Sequence, residues 1–111
     1  ADETGVGAGW GANLNIPLPR GTGFETWFGA LERALGAIGR FGAQALVVSM
    51  GMDTFVGDPI SGFTLHSADY LRVGERLAAA GLPTVLVFEG GYAVAEVGVN
   101  AANVLEGFLA R

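Results

Sequence analysis

The chain has 111 residues and a formal charge of −5, with six basic residues, all arginine, against eleven acidic ones. That length argues for one domain or part of one, and the acidic balance disfavours sequence-independent binding to phosphate backbones. Cysteine is absent and His66 is the single histidine, which excludes disulfide scaffolds, zinc ribbons, cysteine nucleophiles, an HExxH metalloprotease and a His–His acid/base pair within these residues.

Half of the residues are hydrophobic, so the chain can bury a real core. No apolar run reaches the ~20 residues needed to span a bilayer. The acidic opening, Ala1-Asp2-Glu3-Thr4-Gly5, lacks the positive and apolar regions of a signal peptide. A cytoplasmic location without membrane or nucleic-acid partners is the expectation. Oligomeric state is left open.

Residues 1–12 are rich in glycine. Asn13-Leu14-Asn15-Ile16-Pro17-Leu18 alternates polar and apolar and predicts a short edge strand ended by Pro17 and Pro19. Phe24, Trp27, Phe28, Leu31, Leu35 and Ile38 follow helical spacing and predict a helix over about 24–40, with Thr22 and Glu25 as a capping box. Ala45–Met50 is an apolar run that suits a strand buried on both faces of a parallel sheet. Residues 51–66 form a long loop. A helix is expected from about Ser67, its N-cap, to Ala80, with Tyr70, Leu71, Val73, Gly74 and Leu77 inward and Gly81 and Pro83 ending it. Thr84–Phe88 predicts a second buried strand. A final helix over about 94–110 has Val97, Ala101, Val104, Leu105 and Phe108 as its apolar stripe. Alternating strands and helices predict an α/β fold with a doubly wound parallel sheet in three layers. In such sheets, sites form at the carboxyl ends of strands. That rule selects the loops after Met50 and after Phe88.

Gly7-Ala8-Gly9-Trp10-Gly11-Ala12 matches G-x-G-x-x-A, but no strand precedes it and no helix follows, so a dinucleotide site is not expected there. After Met50, Gly51 lets the chain turn sharply. Asp53 then stands where a carboxylate can reach a bound ion or a substrate. Asp58, immediately before Pro59, is the kind of aspartate that starts a turn and accepts from backbone N–H groups. In Glu89-Gly90-Gly91-Tyr92 the glycines allow backbone to approach a ligand closely. Tyr92 is either a phenolic donor to a developing oxyanion or a packed residue at a helix entry. His66, with no partner nearby in sequence, reads as a solvated or capping residue. Trp10 and Trp27 read as packing rather than functional residues, Trp27 on the apolar helix stripe and Trp10 in the opening loop with its role left open.

These loops, in this order, resemble the zinc-dependent histone deacetylase family, and look most like its bacterial branch, the acetylpolyamine amidohydrolases. The residues that carry the resemblance are Gly5-Val6-Gly7-Ala8-Gly9 with Asn13-Leu14-Asn15-Ile16-Pro17-Leu18; Ala45 through Phe55; Gly57-Asp58-Pro59-Ile60-Ser61; Glu89-Gly90-Gly91-Tyr92; and Asn100 through Gly107. The resemblance implies an arginase-like α/β fold. It implies that Asp53 is a zinc ligand, that Tyr92 polarises the amide carbonyl, that Gly90 and Gly91 form the pocket wall, and that Ile60 lines the acyl tunnel. The family's other ligands, an Asp-x-His pair, and its tandem histidines have no counterpart in this chain. The likeness is therefore to roughly the carboxyl-terminal third of a single catalytic domain, whose missing strands would leave an apolar sheet edge exposed. The implied reaction of the complete enzyme is zinc-assisted hydrolysis of an acetylated amine to acetate and amine. This chain alone is expected to be inactive and to depend on the missing N-terminal part. The competing expectations are a non-catalytic α/β module, or one half of a split enzyme completed by a histidine-containing chain. A nucleotide-binding domain would rest on the glycine loops alone.

Overall fold

The computed structural model describes residues 2–110. It contains the helix α1 (Phe24–Phe41), strand β1 (Leu46–Gly51), helix α2 (Asp69–Ala79), strand β2 (Thr84–Glu89) and helix α3 (Val94–Leu109). The α/β architecture is the expected one. β1 and β2 pair in parallel, from Leu46 opposite Thr84 to Gly51 opposite Glu89. Both strands therefore end at the same level, and the loops that leave them start side by side.

The strands alternate rather than being buried on both faces. Leu46 and Met50 are buried, and Val48, Leu86 and Phe88 pack against the same core. Val47 and Val85 lie on the other face, 70% and 58% exposed, with Val87 beside them. These residues thus contribute the sheet and a helical layer on one face, and the apolar surface left open lies on the second face. An apolar run predicts a strand, but it does not say how many faces its neighbours cover.

Tyr70, Val73 and Leu77 of α2 and Val104 of α3 are almost completely buried. α2 and α3 approach very closely at Gly74 and Gly107. A Cβ at Gly74 would lie 2.0 Å from the Val104 carbonyl oxygen, and one at Gly107 2.0 Å from that of Leu71. Asn100 and Gly107 belong to the buried side of α3, whereas Leu105, assigned to it by spacing, is 42% exposed. α1 is tied to α2 by the ion pairs Arg72–Glu25 and Arg76–Glu32, and the Arg72 guanidinium lies 4.7 Å from the centre of the Phe24 ring.

Several local expectations are corrected. Residues 13–18 are extended but unpaired, and no strand forms there among the described residues. The Asn13 N–H instead donates to the Thr4 carbonyl, 3.1 Å away, and the Asn13 side chain to the Glu3 carbonyl. The two prolines lack the donors a ladder needs. Thr22 does not cap α1. Its hydroxyl donates to the Pro19 carbonyl at 2.6 Å, the N-cap is Gly23, and Glu25 is engaged by Arg72. Ser67 does not cap α2 either: the helix begins two residues later, and Asp69 accepts from the His66 backbone N–H at 2.8 Å. Trp27 packs against the core, but Trp10 is 78% exposed. Gly7–Gly9 form one exposed 3-10 turn that opens no helix.

Candidate active site

The loop after β1 is long but well tied. Phe55 bridges Leu65 and Gly23 bridges Thr64, and the Val56 N–H donates to the Leu65 carbonyl at 2.7 Å. Met52–Thr54 form a single 3-10 turn directly on the end of β1. Met52 and Thr54 are buried there, and Asp53 between them is half-buried. Beneath the turn, the Thr54 and Tyr70 hydroxyls are 2.8 Å apart. Burial pushes the Tyr70 phenol up to about 12, against the lowering effect of the Thr54 hydrogen bond, and the carboxylates Asp53, Asp69 and Asp58 add to the rise. Tyr70 is thus a neutral prop under the Asp53 turn.

Gly51 works differently from the expectation of a sharp turn. Its φ of −72° and ψ of 117° suit any residue. What matters is the missing side chain: a Cβ there would lie 3.1 Å from Asp53 Oδ1, so the carboxylate folds back over its own strand end.

The loop after β2 lies against this turn. Gly90 and Gly91 have φ of +62° and +94°, the left-handed region that side chains disfavour. A Cβ at Gly90 would sit 3.6 Å from Asp53 Cγ, and one at Gly91 2.7 Å from Met52 Cβ. The Gly-Gly backbone thus packs directly onto the Asp53 turn. Tyr92 follows it, with its side chain half-exposed. Asp53, Gly90, Gly91 and Tyr92 are brought to one end of the sheet, as the strand-end rule expects.

Asp58 holds the two loops together. Its buried carboxylate accepts three backbone N–H bonds: Oδ1 from Ile60 at 2.8 Å and Ser61 at 3.0 Å, and Oδ2 from Tyr92 at 2.8 Å. Desolvation works to raise its pKa. The three donors of Ser61, Tyr92 and Ile60 outweigh it and hold the carboxyl below the usual aspartate range. The Asp-Pro pattern predicts the two local bonds, but not the third. No sequence feature links positions 58 and 92, because their contact exists only once β1 and β2 are in register. Ile60 is 63% exposed beside this anchor. His66 is exposed at the far end of the loop after β1, just before α2.

Asp53 is a suitable oxygen ligand in its position, but no group of three or more His, Cys, Asp or Glu able to hold an ion occurs among the described residues. A protein zinc site needs at least three such ligands. These residues do not make one by themselves.

The α/β fold with its parallel sheet is that of deacetylase-like proteins of known structure. The chain belongs to the histone deacetylase family: residues 1–108 match the histone deacetylase domain. It is 54% identical to acetylpolyamine amidohydrolase 1 of Pseudomonas aeruginosa over 97% of its length. It is 53% identical to the acetylpolyamine amidohydrolase of Mycoplana ramosa over 96% of its length. In each case it spans 31% of the relative. The crystal structure of an acetylpolyamine aminohydrolase from Burkholderia pseudomallei superposes with a TM-score of 0.92 at 38% identity, covering 96% of this chain and 31% of that one. The chain therefore spans about a third of the length of the curated relatives it matches.

Proposed function

We propose that this chain supplies part of the active site of a zinc-dependent amidohydrolase that removes acetyl groups from amines such as acetylpolyamines or acetyl-lysine. The observation that carries this reading is the packing of the Gly90-Gly91-Tyr92 loop directly on the Asp53 turn at adjoining strand ends. Family membership and the similarity to acetylpolyamine amidohydrolases support it. In this reading Asp53 is one ligand of a zinc ion whose other ligands lie outside these residues. Zinc chemistry suits amide hydrolysis because the ion polarises a carbonyl and acidifies water. Tyr92 donates its phenolic hydrogen bond to the amide oxygen as negative charge develops there. Gly90 and Gly91 let the pocket wall approach the acyl chain closely, and the exposed apolar side chain of Ile60 lines its path. With one carboxylate in place and no histidine beside it, the chain alone is inactive.

Zinc binding and deacetylation by the 111-residue chain test this directly. Weak metal affinity and no turnover are expected, and robust turnover would overturn the proposed dependence on further residues. When a histidine-bearing remainder of the domain completes the site, Asp53→Ala loses zinc. Tyr92→Phe keeps zinc and loses about 100- to 1,000-fold in kcat, the loss typical of one oxyanion donor. An unchanged kcat in Tyr92→Phe would remove Tyr92 from the reaction.

A further inference from the structure

We propose that Asp58 is a positioning residue for the reaction: one buried carboxylate in the loop after β1 sets the backbone of the oxyanion donor Tyr92 in the loop after β2. The inference rests on the role proposed above for Tyr92. Asp58 lies in the loop after β1, yet its Oδ2 accepts from the Tyr92 N–H at 2.8 Å, while Oδ1 accepts from Ile60 at 2.8 Å and Ser61 at 3.0 Å. This is the one side-chain hydrogen bond between the two loops among the described residues, and the carboxylate making it is only 8% exposed.

The need for such an anchor follows from the loop itself. Tyr92 is preceded by two glycines with positive φ, a linker of high backbone freedom. Its side chain is half-exposed, and no hydrogen bond of its hydroxyl occurs among the described residues. Within these residues, half of the ring is left uncovered. The backbone bond to Asp58 limits where the ring can start from, and a donor displaced by about 1 Å can lose about 100-fold in rate. Both carboxylate oxygens are used, Oδ1 by Ile60 and Ser61 of its own loop and Oδ2 by Tyr92 of the other. An asparagine offers one oxygen and sets an N–H₂ against a backbone N–H on the other side.

The test is a double-mutant cycle in the assembled enzyme, this chain completed by the histidine-bearing remainder of the domain. Asp58→Asn is expected to lower kcat at least about ten-fold, leave KM within about two-fold, and retain zinc. In the Tyr92→Phe background the same substitution should change kcat by less than about two-fold, because the group it positions is gone. Equal losses in both backgrounds would show a general structural role and overturn the proposal, as would full activity of Asp58→Asn where Tyr92→Phe is impaired. An unimpaired Tyr92→Phe would instead sink the functional reading on which the proposal rests. Should Asp58→Asn fail to fold, amide hydrogen exchange in the unsubstituted enzyme decides. The Tyr92 N–H is expected to exchange at least about ten-fold more slowly than an unstructured amide, and exchange at the unstructured rate overturns the anchor.

Discussion

The hydroxyls of Thr54 and Tyr70 meet at 2.8 Å in the interior, joining the Asp53 turn to the first turn of α2. Tyr70 is fully buried and Thr54 nearly so, so neither can exchange this bond for water. Tyr70→Phe or Thr54→Val leaves the other hydroxyl unsatisfied, and each is expected to destabilise by about 1–3 kcal/mol. The double variant should lose less than the sum of the two, as residues in contact do. Urea denaturation of the three variants measures this, and strict additivity would mean the bond contributes nothing. An absorbance titration should also show a tyrosine ionising near 12, absent in Tyr70→Phe. The raised value makes the associated stability complete below the ordinary phenol value of 10.0 and lost as pH climbs through the folded one.

The close approach of α2 and α3 predicts a sharp contrast among glycines. Gly74→Ala and Gly107→Ala each drive a methyl group into a backbone carbonyl at 2.0 Å, which neither helix can relieve without separating. Each should cost at least about 3 kcal/mol, the upper end of overpacking losses. Gly98, on the exposed side of α3, would meet nothing within 4 Å. Gly98→Ala is expected to stabilise by about 0.5–1 kcal/mol through helix propensity alone. Thermal or chemical unfolding gives the order, and a stable Gly74→Ala would contradict the packing described.

At the loop pair, Gly90 and Gly91 should differ. Both take positive φ, so alanine at either strains the backbone by about 1–2 kcal/mol. At Gly90 the new methyl finds ordinary contact with Asp53 at 3.6 Å, whereas at Gly91 it meets Met52 Cβ at 2.7 Å and Val97 Cγ2 at 2.8 Å. Gly91→Ala should therefore be the more destabilising by at least about 1 kcal/mol. Equal effects in urea would mean the two loops are not pressed together as described.

Asp58 predicts an acid limb in the stability curve. Its folded carboxyl is held below the ordinary value of 3.8, so the folded state favours the charged form. The contribution is complete above that value and is lost as pH falls below it through the folded one. Melting temperatures followed downward from neutral pH should fall more steeply for the unsubstituted chain than for Asp58→Asn in that window. Parallel curves would mean the three N–H bonds do not favour the ionised form.

Local sequence placed five elements correctly, but not the short strand expected over residues 13–18, which does not form. The i, i+3, i+4 spacing of Phe24 through Ile38 placed α1, the apolar runs at 45–50 and 84–88 placed both strands, and turn residues placed the breaks, each within one or two positions. These features are set by neighbours within a few residues, which is what periodicity reports. The motifs in the two strand-end loops also sufficed to recognise the family. Two things belonged to the tertiary structure alone. Alternation of burial along β1 and β2 depends on what covers each face. Thr22 and Ser67 failed as caps for a local reason instead: the Thr22 hydroxyl donates to the Pro19 carbonyl and Asp69 accepts from the His66 backbone, each pair three positions apart. The bond from Tyr92 to Asp58 spans 34 positions and exists only because parallel pairing in register brings both strand ends to one level. The sequence supplied the carboxylate, the glycines and the tyrosine, and the register of two strands made them neighbours.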